Sequence, residues 1–286
     1  IPSLGVARSV TGNYSQAALY LGRTYHALFE YDKARAAFER AVKIDPDYAE
    51  AQASFGAMLL DVGDLDEAIR QLTASLSRAP DASLTNALLA QAFTRKGAYR
   101  EGIQYAREAI KRNPAHAEAH FWLAEALRFD KRCPEALPQY TEYLRLSDFD
   151  SKLAGKLNYY VLGYLAGMGK KKRAAQTDIW RELQFMAQFG LCDCERMSKQ
   201  FDAAIGHCQK ALSIDGGDLY AHYALGVIYA EKFNQSSSAG YLSAARTHFE
   251  RVIAINPDAQ EAEKSKKYLG TIQQVVSALS KGNSAP

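Results

Sequence analysis

The sequence predicts an all-α solenoid of consecutive helical hairpins, and three observations lead to this fold class. The chain overlays on itself when it is shifted by 34 residues, so that Pro46, Pro80 and Pro114 coincide and the series continues to Asp148. Small residues then fall on small ones, and large apolar residues fall on large apolar ones. Within each period the apolar residues recur every three or four positions, which is the spacing of an amphipathic helix.

The first helix of each period carries a small residue at one fixed place. A large apolar residue precedes it, and a second large residue follows three positions later. A small residue lets the backbones of two packed helices approach closely while large side chains fill the neighbouring grooves. The small positions are Gly22, Gly56, Ala90 and Ala124, and the large ones are Leu21, Phe55, Leu89 and Leu123, then Tyr25, Leu59, Phe93 and Leu127.

The second half of each period repeats in the same way. Its small residues are Ala34, Ala68, Gly102 and Ala136. In the first period Ala34, Phe38 and Ala41 keep helical spacing, and Pro46 then ends the helix and fixes the turn. Each period is therefore predicted to form two packed helices joined by a short turn.

This pattern resembles the tetratricopeptide repeat (TPR) family. The run Leu21-Gly22-x-x-Tyr25 and the period carry the resemblance, together with Ala34, Phe38, Ala41 and Pro46. Ala18 stands where the family usually has tryptophan. The resemblance implies a right-handed α-solenoid of tandem hairpins whose first helices line a concave groove.

The period divides the chain into repeats. After an N-terminal segment at 1–14 we expect full repeats at 15–48, 49–82, 83–116 and 117–150, a degenerate one at 151–184, and two more at 185–218 and 219–259. The last repeat has extra residues within "EKFNQSSSAGYLS", which lengthen either the turn or the helix ends. Residues 260–282 are predicted to form a closing helix that covers the last apolar face, followed by a tail to 286. One continuous domain is expected over 15–259, because a solenoid grows by adding neighbours.

Composition excludes two classes of partner. The formal net charge of +3 is nearly balanced, so there is no indication of nucleic-acid binding. No stretch reaches the ~18 apolar residues that a membrane span requires.

The four cysteines are not spaced as a small disulfide framework, which favours reduced thiols and a cytoplasmic location. The chain opens on Ile1 rather than methionine, so a periplasmic or secreted location stays open if this start is trimmed or processed.

One cluster of soft ligands invites a zinc interpretation. The sequence "CDC" contains Cys192 and Cys194, and His207 and Cys208 follow. The repeat register, however, puts Cys192 at the small position of Gly22 and Cys208 at the large position of Phe38. We therefore predict packed cysteines and no metal site.

The sequence "HAEAH" has two histidines four residues apart, as in zinc enzymes. His116 falls in a turn between repeats, and His120 falls at a packing position that it shares with His222. We expect one turn histidine and one packed histidine.

The sequence "GMGKKKR" at 167–173 suggests a phosphate-binding loop. The required first glycine is missing, since Tyr164 stands there. The basic run Lys170 to Arg173 is expected to be solvated charge in a hairpin turn, with a nuclear signal or an anion-binding patch as the alternative. With no triad spacing and no isolated acidic pair, the sequence predicts neither an enzyme nor a cofactor.

The resemblance also implies where a partner binds. In the family, the second, fifth, ninth, twelfth and thirteenth residues of a repeat face the groove. In the first three repeats these residues are mostly small or polar: Gln16, Arg23, His26, Glu50, Ala53, Ala57, Gln91 and Arg95. From the fourth repeat onward they become mainly aromatic, with two arginines: Phe121, Arg128, Phe129, Tyr160, Tyr164, Met186, Phe189, Arg196, Tyr220 and Tyr223.

The predicted function is therefore a protein-interaction scaffold whose groove binds an apolar or amphipathic peptide or a partner's helix. Packing between helices is the alternative role for the aromatic residues after 150. As an alternative function, the chain is an accessory or regulatory part of an enzyme system whose catalytic domain lies elsewhere.

Family members that grip a chaperone's carboxyl terminus carry lysines, asparagines and an arginine at set groove positions. Here these positions hold Leu19, Arg23, Ser54, Leu84 and Leu88. The sequence therefore predicts no clamp of that kind.

Overall fold

In a computed structural model of the protein, the described residues are 2–147 and 170–282, with side chains described over 13–147 and 181–278. Every regular element in those ranges is an α-helix, and consecutive helices pack against each other. The predicted all-α solenoid of helical hairpins is confirmed. Contacts divide the chain into a first unit, residues 1–172, and a second unit, residues 173–286. A single domain over 15–259 stays a prediction.

The first unit contains two helices for each of the four full repeats. α1 begins at Pro2, so most of the predicted N-terminal segment belongs to the first helix. The helices are α1 Pro2–Ala27, α2 Tyr31–Ile44, α3 Ala49–Val62, α4 Leu65–Arg78, α5 Ser83–Lys96, α6 Tyr99–Arg112, α7 Ala117–Phe129 and, within the described residues, α8 at 133–147.

The second unit contains two hairpins and a closing helix. Its helices are α9 Lys170–Met197, α10 Phe201–Ile214, α11 Leu219–Ser236, α12 Ala239–Ile255 and α13 Gln260–Gly282. The basic run Lys170 to Arg173 begins α9 and so does not lie in a turn. Residues 151–169 of the predicted degenerate repeat lie outside the described residues.

The extra residues of the last repeat lengthen its helices and not its turn. α11 has 18 residues and α12 has 17, whereas α3 and α4 have 14 each. Ser237 ends α11 in the left-handed conformation with φ 54°.

The first two hairpins each close over a glycine that faces a large residue sixteen positions later. A Cβ added to Gly22 would lie 2.7 Å from the Phe38 ring, and one added to Gly56 would lie 2.5 Å from Leu72. Phe38 and Leu72 are fully buried. The glycines therefore make room for these side chains, as the repeat pattern predicts.

The turns between repeats are stabilised by the residue that precedes the proline position. The Asp45 carboxylate accepts the backbone N–H of Asp47 at 3.1 Å, and the Asn113 amide oxygen accepts that of Ala115 at 3.1 Å. Asp215 does the same for Gly217 at 2.9 Å, although no proline follows it. This local bond is the usual reason for Asp and Asn in turns.

The first helices of successive repeats lie side by side. α1 contacts α3, α3 contacts α5 and α5 contacts α7, and in the second unit α11 contacts α13. No such contact links α2 to α4 or α4 to α6, all of which are described. The first helices thus form the more closely spaced layer of each unit, and we call the face of this layer the inner surface.

Candidate functional site

Polar residues on the inner surface of the first unit pair with one another. Arg23 donates to the Ser54 hydroxyl through Nη2 at 2.8 Å, and its Nη1 lies 2.9 Å from Glu50. The His26 Nε2 lies 2.7 Å from the Asp61 carboxylate. These contacts link α1 to α3, and the charged side chains that take part in them are already paired within the protein.

Phe121 lies inside the first unit and not on its inner surface. The side chain has no exposed area. Its ring centroid is 5.0 Å from that of Trp122, 6.4 Å from that of Tyr140 and 5.1 Å from that of Tyr143. Because a partner cannot reach it, we leave this residue out of the candidate surface.

Arg128 belongs to a polar network below the inner surface. Its Nη2 lies 2.9 Å from the Glu125 carboxylate, and its Nε donates to the Tyr140 hydroxyl at 3.1 Å. Tyr140 donates to Glu125, and both of these residues are buried. Burial, together with the nearby carboxylate, raises the pKa of Tyr140 well above its usual value. The guanidinium is therefore held by buried partners.

Phe129 remains accessible beside this network. It is 46% exposed. Its ring stacks on Tyr99 with a centroid distance of 5.5 Å, and the Arg128 guanidinium carbon lies 4.2 Å from the ring centroid. The fourth repeat thus presents the aromatic side chain of Phe129 at the surface.

Two of the remaining predicted groove residues, Tyr160 and Tyr164, lie outside the described residues. On α9, Met186 is half-buried. Phe189 packs against the core, and its ring stacks on that of Phe185 at 6.1 Å. Phe189 therefore contributes to packing between helices, which is the alternative role given above for the aromatic residues after 150.

Two predicted residues, Tyr220 and Tyr223, lie on α11, and a third, Arg196, lies on α9 close to Tyr223. Tyr220 is 56% exposed. Tyr223 is half-buried, with its ring 6.1 Å from that of Phe249. Burial raises the pKa of the Tyr223 hydroxyl, and the charge of Arg196 acts in the opposite direction. Arg196 itself is paired with Asp193 at 2.6 Å.

A cavity of about 380 Å³ lies between α11 and α13, and we call it the lysine cavity. The Lys264 Nζ lies 5.9 Å from the centroid of the Tyr223 ring and 3.7 Å from the Glu261 carboxylate. Lys267 makes no ion pair with any residue in the described part of the chain. The cavity is lined by Tyr223, Lys264, Lys267, Tyr268 and Thr271.

A smaller cavity of about 110 Å³ adjoins it, and we call it the apolar slot. It shares Tyr268 and Thr271 with the lysine cavity, so the two lie next to each other along α13. Its other lining residues come from α11, α12 and α13 and are mostly apolar: Ala230, Phe233, Asn234, Leu242, Ile272 and Val275.

The sequence predicts α13 only as a closing helix that covers the last repeat, so the predicted groove residues include none of its side chains. A signal was present. Pro257 occupies the place of Pro46, so a further period begins at 260. Counting from there puts Lys264, Tyr268 and Thr271 at the fifth, ninth and twelfth positions, which face the groove in the family.

Two histidines and a glutamine bind the turns between repeats. The Nε2 atoms of His120 and His222 lie 3.0 Å and 3.2 Å from the carbonyl oxygens of the residues six positions before them. Gln52 donates to the Pro46 carbonyl in the same way at 2.8 Å. His116 lies in a turn, as predicted, with its Nδ1 2.9 Å from the Ser83 hydroxyl.

The prediction of reduced thiols is wrong, because none of the four cysteines is free, and Cys192 and Cys208 form a disulfide with each other. Both are fully buried at the predicted packing positions. They are sixteen residues apart, which is also the separation of Gly22 and Phe38, so the repeat register itself brings them together. Disulfides persist in oxidising compartments, so a cytoplasmic location no longer follows from the cysteine pattern.

Within the described residues, no three potential metal ligands among His, Cys, Asp and Glu come together. His207 instead lies 2.7 Å from the Glu195 carboxylate through its Nδ1. In the same part of the chain, none of the helices combines the length and the apolar character needed to cross a bilayer.

Comparison with known families gives matches to models described as tetratricopeptide repeat. They cover residues 15–48, 58–109 and 88–151. These ranges fall on the four full repeats predicted from the period. Comparison with curated protein sequences gives no match.

Among solved structures, PilF of Pseudomonas aeruginosa aligns with a TM-score of 0.65 at 14% identity, over 90% of this chain and 98% of that one. YrrB, described as a TPR protein with an unusual peptide-binding site, aligns with a TM-score of 0.56 at 19% identity, over 81% and 98%. A chain of the APC/C hetero-tetramer Cut9–Hcn1 aligns with a TM-score of 0.62 at 17% identity. The present chain covers 42% of that protein's length and is itself covered to 88%. At these identities the likeness establishes the fold.

Proposed function

Because the chain belongs to the tetratricopeptide repeat family, we propose that it binds a peptide segment of another protein on the inner surface of its second unit. TPR proteins generally mediate protein–protein interactions, and the family is generally non-catalytic. Stacked repeats supply an extended concave surface for this purpose. The proposed partner is amphipathic, with apolar side chains and acidic groups.

The observation that carries the proposal is the lysine cavity. It combines two tyrosines with two lysines in about 380 Å³ on the face of the first helices. Aromatic side chains supply large contact areas in binding sites, and a few of them dominate binding energies. The neighbouring Tyr220 is 56% exposed and extends the aromatic area along α11.

The first unit supports peptide binding less well. Arg23, Glu50 and Ser54 already bond to one another there, and His26 is paired with Asp61. A ligand would have to break these contacts before gaining its own. Desolvating such groups without replacing their partners costs free energy.

The test selects short peptides from a displayed random library on the full chain and measures their dissociation constants by fluorescence anisotropy. Tyr220→Ala and Tyr223→Ala should each weaken binding about tenfold or more. Tyr20→Ala is the matched control, because Tyr20 is 54% exposed and lies on α1 of the first unit. Its replacement should leave the affinity unchanged.

Helical content by circular dichroism should be the same in all three variants, because both tyrosines of α11 lie on the surface or at its edge. The proposal fails if the selected peptides bind the Tyr220→Ala and Tyr223→Ala variants as tightly as the original chain. It also fails if Tyr20→Ala is the variant that loses binding.

A further inference from the structure

We infer that the second unit recognises an acidic side chain and an aliphatic side chain that lie close together in one peptide. The aliphatic side chain enters the apolar slot, and the carboxylate of a neighbouring Asp or Glu meets the lysines of the lysine cavity. This inference rests on the proposed function and names the chemistry of its ligand.

The apolar slot fits one aliphatic side chain. Its volume of about 110 Å³ is smaller than the ~150 Å³ of an apolar protein cavity that takes up benzene. Phe233, Leu242 and Ile272 supply apolar walls from three different helices. A branched aliphatic group can therefore enter and exclude water, whereas an indole ring is too large.

The lysine cavity selects the charge of the neighbouring residue. Lys267 is exposed and has no carboxylate partner within ion-pair distance in the described part of the chain. Lys264 has one carboxylate near it, that of Glu261 at 3.7 Å. Glu263, four residues before Lys267 on the same helix, is paired with Lys266 at 2.5 Å. The bond to Lys266 lowers the pKa of the Glu263 carboxyl, and the charge of Lys267 acts in the same direction. The site thus keeps an excess of positive charge, which favours a carboxylate and repels a basic peptide.

The two recognition elements must be neighbours in the ligand. Tyr268 and Thr271 border both cavities, so a bound peptide passes from one to the other across these two side chains. The acid and the aliphatic residue therefore lie within about one helical turn of each other in the peptide.

The experiment uses the full chain and fluorescein-labelled peptides that contain one Glu and one Leu, with the Glu placed one to four residues before the Leu. In the best of these, Leu→Ala and Leu→Trp should each raise the dissociation constant about tenfold or more. Glu→Gln should weaken binding several-fold, and Glu→Lys should weaken it further. Added salt should reduce the advantage of Glu over Gln.

Variants of the chain then test whether the preference for Glu depends on the lysine cavity and the preference for Leu on the apolar slot. Lys267→Gln should abolish the discrimination between the Glu and Gln peptides. The double variant Glu263→Gln/Lys266→Gln is the control on the same helix, because it removes an ion pair without changing the net charge, and it should preserve the discrimination. Ala230→Leu fills the slot and should abolish the discrimination between the Leu and Ala peptides. If that variant does not fold, the comparison of the Leu, Ala and Trp peptides on the original chain decides.

The outcomes separate this inference from the proposed function. If none of the designed peptides binds, or if they bind without regard to Leu or Glu, the inference is overturned. The proposed function nevertheless stands if library-selected peptides still depend on Tyr223. If those peptides are also insensitive to Tyr223→Ala and Tyr220→Ala, both fail.

Discussion

Replacing Gly226 by alanine should strain the last hairpin, where α11 crosses α12. A Cβ at this position would lie 2.7 Å from Cε1 and 2.8 Å from Cδ1 of Phe249. The optimal separation of two carbon atoms is about 3.5 Å or more. Phe249 is fully buried, and it stacks on Tyr268 with a centroid distance of 4.6 Å and an interplanar angle of 9°. The ring can therefore yield only by displacing Tyr268 and with it α13.

Two opposing effects set the size of the change. Alanine gains about 1 kcal/mol over glycine in helix propensity, whereas overpacking a filled core costs about 1–3 kcal/mol. Gly226→Ala should therefore lie between neutral and about 2 kcal/mol destabilising. Gly206→Ala is the control, because it is the same exchange within α10 and its added Cβ would meet nothing within 4 Å. That variant should gain up to about 1 kcal/mol.

Urea unfolding of the full chain, followed by far-ultraviolet circular dichroism, measures both free energies. The difference between the variants isolates the steric cost, since the propensity gain is common to both, and it should be about 1–3 kcal/mol. Equal stabilisation by the two alanines would refute the argument, because it would mean that the Phe249 ring does not fill the space beside Gly226.

Three further predictions concern stability. The double variant Cys192→Ala/Cys208→Ala should lose on the order of 3 kcal/mol, the effect of opening a disulfide loop of about 15 residues; an unchanged urea midpoint would argue against the disulfide. Burial and the neighbouring His222 lower the pKa of His248 from 6.5 to about 4, so the unfolded chain binds this proton more readily and the free energy of unfolding should fall as the pH drops from 6.5 towards 4. His248→Gln should reduce that fall, and identical pH profiles would contradict the assignment. Tyr140→Phe should cost about 1–3 kcal/mol, because a buried carboxylate loses a donor, and equal thermal stability would contradict that network.

The periodic part of the fold could be predicted from the sequence because equivalent residues make equivalent packing contacts in successive repeats. Gly22 and Phe38 face each other for the reason that Gly56 and Leu72 do, so a shift of the sequence reveals both pairs. The closing helix could be predicted because the last repeat must cover its apolar face, and it occupies the expected residues, Gln260–Gly282.

Two features could not be predicted from the period alone. The period predicts packing positions for Cys192 and Cys208 but does not indicate that the two thiols are joined in a disulfide. Phe121 has the register of a groove residue, but its large neighbours enclose it completely. Burial of this kind depends on the side chains of neighbouring helices and cannot be predicted from the apolar period of one helix alone.

The candidate site was predicted in part. Tyr220 and Tyr223 followed from the register of the last repeat, and both lie at or near the surface of α11. Lys264 and Lys267 of α13 were not predicted as site residues, because α13 was expected only to cover the core of the last repeat. The cavity shared by Tyr223 and Lys267 shows that the helix contributes to the inner surface as well.

Hydrogen exchange of the full chain, with and without a saturating library-selected peptide, tests peptide binding on the second unit most directly. Exchange is slowed where a ligand stabilises local structure. The account predicts added protection in α11, residues Leu219–Ser236, and in α13, residues Gln260–Gly282, with no change in α3 and α5 of the first unit. Protection confined to α3 and α5, with α11 and α13 exchanging as in the free chain, would contradict it.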